Sequence, residues 1–355
     1  MEPPANPGVI KLKNRSGSTM PKQRIAIVGA GNMARARGKA FLDTGRAEIC
    51  GVAARRAQRA ENCAAELGCD VFCDDFRRLG EARPDAILIE VPHRVQDEVS
   101  IWSLAAGYDL LVGGCLASSV ENGHQIAETA ARNTRMVEAG FQRRYDPAWE
   151  EIQRLVAGGE LGAPVMAVTT ALWNPDPDGW YYDQEASGGM PLTHMSYCYL
   201  NAVRWILGRP TTVSAMANRM RNTAPGRVVE ETCGALIGFE NGAFASATAS
   251  YVGPEGMTDP QPRFVCAEGG ILPNADSPPG KDSITVFHGG RSEVRAFASE
   301  PSPFVRQAAA FLDAIESRRE ARSPPEDALL DVEIATAISV SAREHRTVSL
   351  AEVRS

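Results

Sequence analysis

Apolar residues follow two alternating patterns in the first 140 residues. Short runs of apolar, often β-branched residues predict buried strands. These runs lie at residues 24–28, 48–54, 70–72, 86–91, 109–112 and 135–139. Between them, segments compatible with helices lie at residues 33–42, 57–67, 97–106 and 120–133. Alternating strands and helices predict a doubly wound parallel sheet over residues 23–142.

The pattern changes after Gly140. Helices are predicted at residues 147–157 and from Gly188 to Gly208. Further strands are predicted at residues 164–172, 212–217, 232–239, 243–250, 264–266 and 283–287. We therefore expect a second α/β domain over residues 143–355, with a large, open and mostly antiparallel sheet. Because few helices cover that sheet, we expect its other face to form a homodimer or homotetramer interface.

The amino-terminal segment and the charge exclude several classes of protein. Residues 1–22 carry Pro, Ser and Lys without periodicity, which predicts a disordered leader, and they lack the apolar core of a secretory signal. No segment approaches the roughly 18 uncharged apolar residues of a membrane span, so we expect no membrane contact. The net charge of −7 argues against a nucleic-acid partner, which would need a clustered basic face.

The eight cysteines are scattered and form no CxxC motif. In a chain of this size they favour reduced thiols in a cytoplasmic protein. Cys69 and Cys73 lie close together in sequence, but no cluster of further His or Cys residues lies near them. We therefore expect no zinc site and no other metal site.

A glycine-rich turn follows the first predicted strand. Gly29 would make the tight turn, Gly31 would leave room for a pyrophosphate, and Ala34 would let the next helix pack closely on the strand. Asn32 and Met33 open that helix, whose N-terminal dipole would face the anion. A strand before the turn and a helix after it are the context of a dinucleotide-binding Rossmann site. The alternative is a glycine-rich turn without a ligand.

The end of the second strand bears on which dinucleotide binds. An NAD site usually has Asp or Glu there to hold the ribose 2′-hydroxyl, whereas this chain has Ala54 followed by Arg55 and Arg56. Guanidinium groups would suit a 2′-phosphate, so NADP is preferred. NAD stays possible, because the two arginines are also compatible with a solvated helix entrance.

Two further segments lie at the carboxyl ends of strands, where open α/β sheets bind ligands. Pro92, His93 and Gln96 follow the strand at residues 86–91, and Gly113 and Gly114 follow the strand at residues 109–112. We expect all five to contact the cofactor. His93 is also placed to contact nicotinamide or substrate.

The order of elements resembles the Gfo/Idh/MocA family (glucose-fructose oxidoreductase, inositol dehydrogenase and relatives) from Arg24 to about Leu350. Besides the glycine turn, the similar stretches are residues 140–145, 159–162, 188–189 and 204–208. The resemblance implies an NAD(P)-binding domain and a second α/β domain with a large mixed sheet. It also implies hydride exchange between nicotinamide and a carbinol carbon of a sugar or cyclitol.

The chain departs from the family at residues that carry chemistry. Where the family usually has Glu-Lys-Pro after the fifth strand, with a lysine that helps to orient substrate and move a proton, this chain has Gly113-Gly114-Cys115. No lysine occurs between residues 40 and 280. The histidine often found after the fourth strand corresponds to Gln96, and the family's Asp and His of the second-domain helix correspond to His194 and Cys198.

Oxidation of a carbinol needs a base with a pKa near the working pH, which histidine provides without special tuning. His194 lies one helical turn before Cys198, so we expect His194 to be the acid/base, with Tyr197 and Cys198 as further catalytic candidates. The alternatives are a structural helix histidine and a small buried thiol.

Substrate contacts are expected from the loop before Gly188 and from the segment after Gly140. Trp173, Trp180 and Tyr182 offer flat apolar faces for a sugar ring, although such residues also pack on domain edges. Gln142 and Arg144 would orient a hydroxylated or anionic substrate together with His194, and for Arg144 a salt bridge at a helix entrance is the alternative.

Three functions are compatible with these features. The first is a cytoplasmic NAD(P)-dependent oxidoreductase of a sugar-like or other small cyclic substrate, with a nonstandard proton relay around His194. The second uses a tightly held cofactor without net redox change, in elimination, hydrolysis or epimerisation. The third is a cofactor-binding regulatory protein without catalysis.

Overall fold

The computed structural model describes residues 21–174, 176, 179–187, 197–254, 262–274 and 281–354. Side chains of residues 197–199 and 281 lie outside this description, as does the leader predicted at residues 1–22, apart from its last two residues. In the described part of the chain, no helix combines the length and the hydropathy that crossing a membrane requires.

The first sheet has six strands in the order β3-β2-β1-β4-β5-β6, and all its strand pairs are parallel. The strands are β1 (Gln23–Val28), β2 (Ala47–Ala53), β3 (Phe72–Cys73), β4 (Ala86–Ile89), β5 (Asp109–Val112) and β6 (Val137–Ala139). The connecting helices are α1 (Asn32–Asp43), α2 (Ala57–Glu66), α3 (His93–Ala105) and α4 (Val120–Asn133). The chain reverses direction across the sheet between β1 and β4, so a crevice opens at their carboxyl ends.

The second sheet has nine strands in the order β14-β13-β12-β11-β7-β10-β9-β8-β15. Its strands are β7 (Pro164–Leu172), β8 (Pro210–Asn218), β9 (Thr232–Phe239), β10 (Phe244–Ser250), β11 (Arg263–Cys266), β12 (Gly269–Pro273), β13 (Lys281–His288), β14 (Arg291–Ala298) and β15 (Val348–Ser349). Among the strand pairs that the structure describes in this sheet, β7 and β10 are parallel and the others are antiparallel. The predicted fold class, a Rossmann domain joined to an α/β domain with a mostly antiparallel sheet, is confirmed.

Helices cover one face of the second sheet. In the described part of this half, the α-helices are α5 (Pro147–Ala157), α6 (Gln184–Ser187), α7 (Tyr197–Leu207), α8 (Pro303–Ser317), α9 (Pro325–Glu344) and α10 (Leu350–Val353). Trp149 of α5, Ile206 of α7 and Ile338 of α9 pack in one core with alternate residues of β9, such as Ala235 and Ile237. The intervening residues of β9 lie on the other face of the sheet, where Leu236 is exposed and the rest are half-buried.

The carboxyl-terminal helices also complete the first domain. Phe311 of α8 packs edge-on against Phe41 of α1, with ring centroids 5.9 Å apart. Leu329 and Val332 of α9 join the core between the first sheet and α4. Helix α8 thus packs in the core of the first domain, and α9 packs in the cores of both domains, although both helices follow strands of the second sheet in the chain.

Candidate functional site

Glycine is required at position 29 by its backbone and by its neighbour. Gly29 has φ +122°, and its N–H donates a 2.8 Å hydrogen bond to the carbonyl oxygen of Ala53. A Cβ atom at this position would lie 2.1 Å from the carbonyl oxygen of Glu90. Any side chain here would therefore push β1 and β4 apart at their carboxyl ends.

Gly31 is different, because a Cβ atom added there would meet nothing within 4 Å. Gly31 is the N-cap of α1, which begins without a side-chain cap and has no acidic residue in its first turn. Gly31, Asn32 and Met33 are exposed, and Ala34 is buried against the sheet. An open helix N-terminus without a side-chain cap fits the pyrophosphate of a dinucleotide.

Arg55 and Arg56 lie at the carboxyl end of β2, just before α2 begins at Ala57. Both side chains are exposed, and Ala54 donates a 3.1 Å hydrogen bond to the carbonyl oxygen of Cys73. In a dinucleotide site this position is next to the ribose of the adenosine half.

A buried ion pair lies between the ends of β4 and β5. Glu90 follows β4, and its Oε1 atom is 2.7 Å from Nε of Arg37 on α1. Arg37 also donates a 2.7 Å hydrogen bond to the carbonyl oxygen of Gly140. Burial raises the pKa of Glu90, and Arg37 opposes that shift.

His93 and Cys115 form a buried contact beside this pair. The Nδ1 atom of His93, the first residue of α3, lies 2.9 Å from Sγ of Cys115 in the loop after β5. The thiol of Cys115 is also 3.4 Å from the carbonyl oxygen of Ala117, to which it donates. Burial lowers the pKa of His93 to about 4 and raises the pKa of the Cys115 thiol.

Two neighbouring side chains of α3 fix the loop after β5. Nε2 of Gln96 donates to the carbonyl oxygens of Cys115 at 2.6 Å and Leu116 at 3.0 Å. Asp97 accepts hydrogen bonds from the backbone N–H of Ser118 at 3.1 Å and from Nδ2 of Asn122 at 2.6 Å. Gln96 is fully buried and holds the loop through its amide nitrogen, and the cofactor contact expected of it from the sequence stays a prediction.

Aromatic rings lie over the edge that carries His93. Trp180 is stacked on Tyr181, with centroids 4.0 Å apart, and lies 5.8 Å from the His93 ring. Trp173, which is 39% exposed, contacts Tyr181 edge-on at 4.7 Å. Tyr182 was expected to reach substrate, but its ring is buried and its hydroxyl donates to the carbonyl oxygen of Tyr251 at 2.7 Å.

Arg144 also differs from the expectation of a substrate contact. Its guanidinium is buried, donates from Nε to Asn201 at 3.0 Å, and pairs with Asp327 at 2.6 Å. It belongs to the packing of α7 against α9, where Arg204 pairs with Asp331 at 2.9 Å. The alternative of a salt bridge is the one that the structure favours.

The remaining candidates are placed as follows. Gln142 is half-buried and accepts a 3.4 Å hydrogen bond from Arg37, and Pro92 is the N-cap of α3. Gly114 has φ +81°, and a Cβ atom added there would lie 3.7 Å from Nε2 of His93. His194 lies outside the described residues, and Tyr197 and Cys198 are described only as backbone of α7.

Sequence reasoning missed Glu90 and Arg37 as parts of this site, and it considered Cys115 only as part of the departure from the family motif. Of these, Glu90 was the easiest to predict from the sequence, because it is the one charged residue in the apolar run 86–91. A charge at the end of a buried strand indicates either a partner or a ligand. Cys115 carried no comparable signal.

Two family models match the chain. Residues 23–141 match the model of the oxidoreductase family with an NAD-binding Rossmann fold, GFO_IDH_MocA. Residues 149–272 match the model of the GFO/IDH/MocA C-terminal domain.

Curated relatives match over part of their length. The chain is 24% identical to D-glucoside 3-dehydrogenase of Escherichia coli over 224 residues, which are 62% of this chain and 63% of that protein. It is 29% identical to inositol 2-dehydrogenase 3 of Saccharopolyspora erythraea over 204 residues, which are 57% of this chain and 58% of that protein. The match thus spans about three fifths of the length of each relative.

A solved structure shares the whole fold. The aldose-aldose oxidoreductase from Caulobacter crescentus, complexed with glycerol, superposes with a TM-score of 0.82 at 22% identity. The superposition covers 92% of this chain and 99% of that chain.

Proposed function

Because this chain belongs to the Gfo/Idh/MocA family of oxidoreductases, we propose that it is an NAD(P)-dependent oxidoreductase. It transfers a hydride between nicotinamide and a carbinol or carbonyl carbon of a sugar, cyclitol or similar small cyclic substrate. The observation that carries the proposal is the open turn at Gly31, where the first turn of α1 has space and no side-chain cap beside a matched Rossmann domain. The bound nicotinamide would supply the hydride acceptor or donor.

Three segments of the chain bind different parts of the cofactor in this proposal. The turn from Gly29 to Met33 binds the pyrophosphate through backbone N–H groups. Arg55 and Arg56 bind the 2′-phosphate of the adenosine ribose, so that NADP is preferred and NAD is the weaker ligand. The segment from Gly113 to Gly114, at the carboxyl end of β5, would line the nicotinamide end of the site.

The substrate binds between this edge and the aromatic residues. Trp173, Trp180 and Tyr181 present flat apolar faces that suit the C–H faces of a sugar or cyclitol ring. The named activities of the two curated relatives, on a glucoside and on inositol, support this substrate class. The acid/base role expected of His194 from the sequence stays a prediction, because His194 lies outside the described residues.

The experiment is a substrate panel. Purified protein is mixed with NADP+ or NAD+ and with aldoses, glucosides and inositols, and formation of reduced nicotinamide is followed by its absorbance. Turnover with at least one polyol supports the proposal. Product formation without a net change in cofactor redox state would instead favour the redox-neutral function, and tight cofactor binding without any product would favour the regulatory protein.

A homodimer or homotetramer is part of the same proposal. The uncovered face of the second sheet exposes Met216 of β8, Leu236 of β9 and Phe244 of β10, which are 78%, 52% and 42% exposed. Apolar side chains clustered on one sheet face are typical of a subunit interface. Buried thiols, such as those of Cys50, Cys63, Cys69, Cys73, Cys115 and Cys266, would suit a cytoplasmic protein.

A further inference from the structure

The loop after β5 has no side chain at Gly113 and Gly114, but the imidazole of His93, at the start of α3, lies beside Gly114. We propose that His93 is the residue that exchanges a proton with the substrate oxygen, and that Cys115 is its positioning residue. The proposal rests on the proposed oxidoreductase function and names the group that does its proton transfer.

The first step of the argument is location. A Cβ atom at Gly114 would lie 3.7 Å from Nε2 of His93, so the imidazole stands beside the bare glycine backbone at the carboxyl end of β5. Trp180 lies 5.8 Å from the same ring and Glu90 lies against Gly113. Among the four histidines that the structure describes, His93 alone lies at the carboxyl ends of β4 and β5.

The second step is the tautomer. The thiol of Cys115 donates its proton toward the carbonyl oxygen of Ala117, which leaves the sulfur as an acceptor for N–H of His93 at Nδ1, 2.9 Å away. With its proton on Nδ1, the neutral imidazole has a basic lone pair at Nε2, the atom on the Gly114 side. Gln96 and Asp97 keep Cys115 in this place by holding residues 115–118.

The third step is the protonation state. Burial lowers the pKa of His93 to about 4, so the imidazole is neutral above that pH and Nε2 carries no proton in the Nδ1–H tautomer. Two carboxylates near it are held in ion pairs, and Asp97 is held by hydrogen bonds from Ser118 and Asn122. Glu90 pairs with Arg37, Glu185 of α6 pairs with Arg94 of α3, and Cys115 stays a neutral thiol because burial raises its pKa.

The reaction then balances without any further group. In oxidation, Nε2 of His93 accepts the hydroxyl proton, the O–H electron pair becomes the second C–O bond, and the hydride leaves the same carbon for the oxidised nicotinamide. In reduction, the imidazolium returns the proton to the oxygen. Cys115 undergoes no change.

A measurement without cofactor tests the geometry. In the protein labelled with ¹⁵N-histidine, we expect His93 to be the Nδ1–H tautomer, identified as the resonance that His93→Gln removes. Cys115→Ala should shift the tautomer toward Nε2–H, whereas Cys115→Ser, which keeps an acceptor, should restore Nδ1–H. An Nε2–H tautomer in the wild type would overturn the proposal, whether or not the variants fold.

Kinetics test the role in catalysis. His93→Gln should lower kcat by about 100-fold or more, the range of a lost general base, while the Kd for NADP+ changes less than about threefold. His124→Gln, an exposed histidine of α4, is the matched control and should keep wild-type kcat. If His93→Gln keeps kcat within about fivefold and His194→Ala alone abolishes turnover, the proposal is wrong. A wild type that reduces no cofactor with any substrate would overturn the proposed function itself.

Discussion

The carboxylate of Glu90 occupies the space in which a side chain at Gly113 would begin. A Cβ atom at Gly113 would lie 2.1 Å from Oε1 and 2.3 Å from Oε2 of Glu90. The end of β4 thus supplies a carboxylate at the point where the end of β5 has only backbone. That carboxylate pairs with buried Arg37. The ion pair therefore needs glycine at residue 113, because a side chain there would displace Glu90.

Gly113→Ala should therefore break the ion pair between Glu90 and Arg37. We expect a loss of roughly 3–5 kcal/mol in the free energy of unfolding, since displacing Glu90 leaves a buried guanidinium without its counter-charge. Chemical denaturation measures the loss. Moving the carboxylate, in the double variant Gly113→Glu with Glu90→Ala, should recover stability relative to Gly113→Glu alone. Additive effects in this double-mutant cycle would contradict the relationship.

The two glycines of the first turn should respond differently to alanine. Gly29→Ala should lower the free energy of unfolding by more than about 2 kcal/mol, because φ is +122° and the added Cβ meets the Glu90 carbonyl. Gly31→Ala has open space, so its stability should stay within about 0.5 kcal/mol of wild type. Its affinity for NADP+ should nevertheless fall by about tenfold or more, measured by calorimetric titration. Wild-type affinity in Gly31→Ala would place the pyrophosphate elsewhere.

Arg55 and Arg56 should decide between the two dinucleotides. In the double variant Arg55→Ala with Arg56→Ala, we expect the Kd for NADP+ to rise by about 10- to 100-fold, since charge-assisted contacts to a phosphate are lost. The Kd for NAD+ should change by less than about threefold. Titration of both cofactors measures the ratio, and Arg59→Ala, an exposed arginine on α2, serves as control. Equal effects on both cofactors would mean that the arginines do not contact the 2′-phosphate.

The sequence predicted the local elements more completely than the site. Three elements have the predicted bounds, namely those at residues 147–157, 164–172 and 232–239. Their spacing of apolar residues is a local property of the sequence, so it could be read without the fold. The places of Arg144 and Tyr182 depended on which elements pack over them, and a sequence does not give that directly. The contact between His93 and Cys115 joins residues 22 apart through the meeting of β4 and β5, so only the fold brings them together.

The exposed apolar face of the second sheet should hold subunits together. Leu236→Glu places a charge in the middle of that face, between the exposed neighbours Met216 and Phe244, and should convert a homodimer or homotetramer into smaller species. Analytical ultracentrifugation measures the mass. Val229→Glu changes an exposed valine outside the sheet and should leave the mass unchanged. A wild type that sediments as a monomer would remove this part of the proposal.

Glu138 of β6 should make stability depend on pH near neutrality. Its Oε1 atom accepts hydrogen bonds from the Tyr145 hydroxyl and from Nε2 of Gln307, while burial raises the pKa of Glu138 to about 7 against the lowering effect of Arg37 and Arg322. Below pH 4.5, the pKa of this carboxyl in the unfolded chain, Glu138 is protonated in both states and costs the native state no stability. As the pH rises from 4.5 to about 7, the unfolded chain ionises more readily than the native state, so the free energy of unfolding falls. Glu138→Gln removes the charge and keeps the accepting oxygen. The free energy of unfolding of wild type minus that of Glu138→Gln should therefore fall by roughly 2–3 kcal/mol between pH 4.5 and pH 8, measured by urea denaturation at each pH. A difference that does not change with pH would mean that folding does not raise the pKa of Glu138.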